Sequence, residues 1–222
     1  MAPDEWRGNV YSQERGNTYN IFISATLYVP TPRNVLWLFT RLRRPFDYYH
    51  RLSTARKRTY RKSDAIEILA IPEGLDASEL VRQLQLSLLE DKRSSVQKIS
   101  SYLITQLATG YKVPPLEVKI LATRPKGHTG ELHGLYQPGE NKASLISVWM
   151  RTAELKKVVA FKTSLRTLIH ELCHHLDYEM YQLPETFHTE GFYKRESSLV
   201  NALLAQAGLL PQVNANSGKT EN

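Results

Sequence analysis

Thr167 to Tyr178 reads TLIHELCHHLDY, three histidines, a glutamate and an aspartate within twelve residues. Set on a helix at about 100° per residue, His174 falls about 40° from His170, and Asp177 about 20° to its other side. Leu165, Leu168, Ile169, Leu172 and Leu176 gather on the opposite half. The apolar half can pack on a sheet while His170 and His174 point together the other way.

Histidines at i and i+4 have Cβ atoms about 5–6 Å apart. Both rings can then reach one ion at about 2.0–2.1 Å, the usual zinc–nitrogen distance. Glu171, one residue after the first histidine, can border the site without binding the ion and take a proton from water there. HELCH is thus an HExxH motif, with His170 and His174 as ligands and Glu171 as the general base. The competing reading is an amphipathic helix with a solvated polar face.

A zinc hydrolase takes three protein ligands. His188, in FHTEGFYKR, follows after a turn at QLPET and is the third candidate. His175 lies about 140° round the helix and reads as a boundary residue. Asp177 can accept from the free nitrogen of a ligand ring, and Cys173 reads as a small buried side chain. Tyr178, Tyr193 and Arg195 are candidate oxyanion donors. His133 reads as a plain strand histidine.

With these residues in place the chain resembles the SprT-like zinc metallopeptidases, over about residues 75 to 207. The resemblance rests on LIHELCHHLDY followed by FHTEGFYKR. It implies a small zincin-like fold and one Zn2+ held by His170, His174 and His188. It implies peptide-bond hydrolysis by an endopeptidase in which Glu171 activates a zinc-bound water. Two features depart from it. The glycine is Gly191, three residues after His188, although Phe192 keeps the aromatic position, and this leaves Glu190 or Glu196 open as the third ligand in place of His188. A zinc ribbon is excluded, because Cys173 is the only cysteine. The same count excludes a disulfide framework.

The rest of the 222 residues fits an α+β domain of short, at least partly antiparallel sheet and helices. Asp76-Ala-Ser-Glu79 reads as a capping box. It opens a helical run through Leu80, Val81, Leu84, Leu88 and Leu89, and a second run follows through Val96, Ile99, Leu103 and Leu107. LEVKILA is a strand. ELHGLYQ, the turn PGEN and ASLISVWMR form a hairpin, whose second strand is the candidate edge for an extended peptide, Trp149 and Met150 shaping its pockets. Helices run from about Thr163 to Tyr181 and through GFYKRESSLVNALLAQ.

Charge divides the chain. Residues 41–62 carry nine Lys/Arg and one Asp, a balance of +8 against +7 for the whole chain. The basic character is therefore one block, interleaved with Tyr48, Tyr49 and Tyr60, and a non-specific nucleic-acid contact is its functional reading. Residues 1–65 read as an extension without clear periodicity, 66–210 as the peptidase domain and 211–222 as a disordered tail. The N-terminus has no signal-peptide pattern, and IFISATLYVP is too short to span a bilayer. A cytoplasmic protein acting on protein or peptide substrates, with no membrane contact, is the expectation.

Overall fold

The computed structural model describes residues 46–127, 130–139 and 142–210. The strand read in YNIFISATLYV, the element in NVLWLFTRL, the first basic residues of the block, Glu140 and Asn141 of the turn, and the tail lie outside them.

Helices α2 (Ser78–Leu89) and α3 (Arg93–Gly110) follow the two apolar runs. Val81, Leu84, Leu88, Val96, Leu103, Ile104 and Leu107 are all buried. Each such side chain contributes about 1.5–3 kcal/mol by leaving water. The start of α2 differs from the capping-box reading. The helix begins at Ser78, and Asp76 Oδ1 accepts from the Ser78 amide (2.9 Å) in a local turn. Glu79 faces along the helix and bonds Arg82 and Gln83 instead.

Three strands make a mixed sheet in the order β1-β5-β4. β1 (Leu116–Thr123) runs parallel to β5 (Ser144–Arg151), and β4 (Gly134–Gln137) runs antiparallel to it. A two-stranded ribbon, β2 (Lys126–Gly127) with β3 (Gly130–Glu131), lies in the crossover. The hairpin reading holds, but β5 is the central strand and not an edge. Leu116 to Thr123 returns to pair along its far side, which no local pattern announces. Met150 is therefore core, and Trp149 pairs with Leu121 instead of facing a peptide.

The two true edges are unlike. On β1, the Gln97 side chain donates to Val118 O (2.7 Å) and accepts from Ile120 N–H (2.7 Å). Arg93 also donates to Ile120 O (3.2 Å). Helix α3 thus closes that edge. β4 is the other edge, and it lies against helix α4 (Phe161–Glu179).

Helix α5 (Glu190–Gln206) packs on α4, with Phe192, Leu199, Val200 and Leu203 buried. The basic block is not without structure. Thr54–Asp64 is a helix, α1, capped by Ser53 and packed on α5. Its buried residues are Thr59, Tyr60 and Ser63, so apolar periodicity gave no sign of it. No helix among the described residues is long and apolar enough to cross a membrane.

Candidate metal centre

Helix α4 has no wet face over the motif. His170, Glu171, His174, His175 and Asp177 are each at most 5% exposed, as are the leucines opposite. Burying that many polar groups is costly unless each finds a partner, so their partners decide what the helix is for.

His170, His174 and His188 converge. Their Nε2 atoms form a triangle with sides of 3.0 Å (His170–His188), 3.2 Å (His170–His174) and 3.2 Å (His174–His188). Phe192 backs all three rings, at centroid distances of 4.9, 4.8 and 5.1 Å. The short loop after α4 brings His188 back, and Thr189 caps α5 immediately behind it by accepting from the Phe192 amide.

The far nitrogens fix the tautomers. His170 Nδ1 donates to Glu196 Oε2 (2.8 Å). Thr186 Oγ1 gives its one proton to Asp177 Oδ2 (2.6 Å), so it must accept from His174 Nδ1 (2.8 Å). A neutral ring with a protonated Nδ1 carries a bare lone pair on Nε2. Lone pairs therefore point into the triangle. A proton on His170 can serve one neighbour at a time, whereas a cation serves all three. Three nitrogens set tetrahedrally at about 2.0–2.1 Å from one ion stand about 3.3–3.4 Å apart. The observed triangle is close to that spacing, and the group can hold a metal ion.

The electrostatics agree. Burial, then the neighbouring rings of His170 and His188, hold His174 well below the ordinary histidine range. Burial and His170 push His188 down to about 3. Both rings stay neutral, the form that ligates. His170 differs: burial lowers it, but the Glu196 bond and the charges of Glu171 and Glu196 outweigh that and leave it raised.

Glu171 is not in the triangle. Burial pushes its carboxyl up to about 7, against the lowering effects of His170 and a bond from the Tyr136 backbone. It lies under β4, where a Cβ on Gly134 would stand 2.3 Å from its Oε1 and 2.7 Å from Thr167 Cγ2. His133 O accepts from Trp149 N–H across the β4–β5 ladder (3.4 Å), so Gly134 and Tyr136 turn their backbone groups away from β5, to the side where Tyr136 bonds Glu171. The outer edge of β4 and the carboxyl are thus adjacent.

The other candidates are placed as follows. Glu196 holds His170 and Arg166 and does not enter the triangle. Glu190 pairs with Lys194 on the surface of α5. His175 bonds Tyr136 Oη (3.1 Å) and the Pro114 carbonyl (3.0 Å), a boundary role. Asp177 reaches His174 only through Thr186, a hydroxyl that sequence spacing does not single out. Arg195 is fully buried on Asp177 (2.5 Å) and does not face the centre. Tyr178 stacks on Tyr136, and Tyr193 on His188. Cys173 is buried, and burial raises its thiol well above the ordinary range. His133 stands apart from the cluster.

Compared with protein-family models, with curated proteins and with solved structures, the chain matches none.

Proposed function

We propose that the chain is a zinc-dependent metallopeptidase of SprT-like, zincin type, cleaving peptide bonds within protein or peptide chains. The observation that carries this is the triangle of Nε2 atoms, with a buried carboxyl beside it on the same helix. His170, His174 and His188 would hold the ion. A bound Zn2+ supplies Lewis acidity, polarising a carbonyl and bringing the pKa of water toward about 7.

The chain's own residues supply the rest. The carboxyl of Glu171, near neutrality in its proton affinity, takes a proton from the attacking water and delivers one to the leaving amine. An extended peptide pairs with the outer edge of β4, where the missing Cβ of Gly134 lets the Glu171 carboxyl lie directly against the strand. Glu196 and Thr186 keep the two helix-borne rings in the ligating tautomer. Glu171→Gln is expected to retain zinc and lose hydrolysis by about 10²–10⁴-fold. Cleavage by that variant at the wild-type rate would remove Glu171 from the role of base. Zinc uptake with no hydrolysis of any peptide by the wild type would favour a metal-binding module without peptidase activity.

A second reading concerns α1. Lys57, Arg58, Arg61 and Lys62 lie along one side of it, opposite Thr59, Tyr60 and Ser63, and Arg51 precedes it. Arg51 and Arg58 are exposed and have no ion-pair or hydrogen-bond partner among the described residues. Such a face suits non-specific phosphate contacts. Arg51→Glu with Arg58→Glu is expected to abolish salt-dependent DNA binding with the fold intact. DNA binding unchanged by that pair would sink this reading.

A further inference from the structure

The segment from Phe46 to Ile66 contributes no ligand, yet it is bonded to the metal centre at four points. Tyr48 Oη donates to the backbone carbonyl of His188 (3.1 Å). Arg56 forks onto Glu185, three residues before His188, at 2.7 and 2.5 Å. Asp64 Oδ1 accepts from the Gly191 amide (2.9 Å), three residues after it. A Cβ on Gly191 would stand 2.2 Å from the Asp64 carbonyl oxygen, so only glycine lets α1 cross there.

The fourth tie runs through Arg195. Its guanidinium donates to Ser63 O (2.9 Å), Ser63 Oγ (3.0 Å) and Ile66 O (3.1 Å), and on its other side to Asp177 Oδ1 (2.5 Å). Asp177 accepts from Thr186, and Thr186 from His174. One unbroken series of hydrogen bonds therefore joins the end of α1 to a ligand ring. His188, by contrast, stands on a loop with no ladder of its own. Its place depends on what holds the loop, and a metal site tolerates only about 0.5 Å of looseness.

We propose that Tyr48, Thr186 and Arg195 are positioning residues of the metal centre, and that through them the non-ligating segment 46–66 is a working part of it. Tyr48 fixes the backbone of His188. Thr186 fixes the tautomer and tilt of His174. Arg195 locks Asp177, and so Thr186, to the end of α1. This rests on the reading of the three histidines as a metal site.

The test is zinc affinity of the full chain, by competition with a chromogenic chelator, beside the visible spectrum with Co2+ bound. Thr186→Val and Tyr48→Phe are each expected to weaken zinc binding about 10–100-fold, with a changed Co2+ spectrum. The metal-free melting temperature of Tyr48→Phe should stay near that of the wild type, whereas Thr186→Val also strips a bond from buried Asp177 and should melt lower. Thr186→Ser, which keeps the hydroxyl, should restore binding to within about threefold. Tyr48→Phe removes one oxygen from a half-buried ring and keeps the test open if Thr186→Val folds poorly. Wild-type zinc uptake with both variants binding within about twofold of it would overturn this inference alone. A wild type that takes up no zinc would overturn the metal reading and this inference with it.

Discussion

The two sides of α4 are equally buried and built on opposite terms. On one side Leu165, Leu168, Ile169, Leu172 and Leu176 are at most 2% exposed and pack against the sheet and helices. Leaving water stabilises them, and they need no particular partner. On the other side His170, Glu171, His174 and Asp177 are at most 5% exposed, and leaving water costs each of them free energy. That cost is offset by Glu196, Thr186, Arg195 and the Tyr136 backbone. A fold needs only the first side. The second is stable only while each partner is in place, and it leaves the lone pairs of His170 and His174 aimed at one point, which His188 meets from the following loop.

The largest effect should separate the two sides. Leu172→Ala is expected to cost about 2–5 kcal/mol, a cavity in the apolar core. Arg195→Met should cost about 3–5 kcal/mol, because it strands Asp177 unpaired at 0% exposure. Adding Asp177→Leu to Arg195→Met should recover much of that loss in denaturant unfolding. If the double variant is as unstable as the single one, the polar side is not sustained by pairing and the contrast fails.

A smaller effect sharpens the same contrast. Gly191→Ala should cost about 1–3 kcal/mol, since the Asp64 backbone must move. The change should loosen α1 and the polar side only. Hydrogen exchange should then rise around residues 54–66 and 185–191 and stay unchanged in β1 and β5. Equal loosening of the sheet would contradict it.

The smallest effect is a slope with pH in the metal-free protein. His188 is held at about 3, so the unfolded chain takes up a proton that the fold refuses between pH 6.5 and about 3. Its stability contribution is present above pH 6.5 and is lost as pH falls through that window. Glu171, pushed up to about 7, works the other way: its contribution is full below pH 4.5 and lost by about 7. Glu171→Gln removes the opposing term. That variant should lose stability more steeply than wild type as pH falls from 7 to 4.5. A shallower slope would mean the carboxyl is not buried in its neutral form.

Much of the polar side was legible in the sequence, because its determinants are local. The i, i+4 spacing of His170 and His174 sets their convergence, and His188 follows within reach of one turn. What escaped depends on residues far apart in the chain. The outer strand is β4 and not β5 because β1, from earlier in the chain, pairs with β5, a parallel pairing that carries no turn signal. Helix α1 escaped because Thr59, Tyr60 and Ser63 are its buried side, and Ser63 is held by Arg195, 132 residues away. Gly191 departs from the resemblance because its place is set by Asp64, which lies across it from another part of the chain. Arg195 reads as an oxyanion donor in the sequence because a sequence shows a charge but not its direction, which here is toward Asp177 and Ser63.

The most direct test of the whole account is metal analysis of the purified chain, wild type beside His188→Ala and Glu190→Ala. The account predicts about one zinc per chain in wild type and Glu190→Ala, and none retained by His188→Ala after dialysis. No zinc in the wild type, or full zinc in His188→Ala, would contradict it.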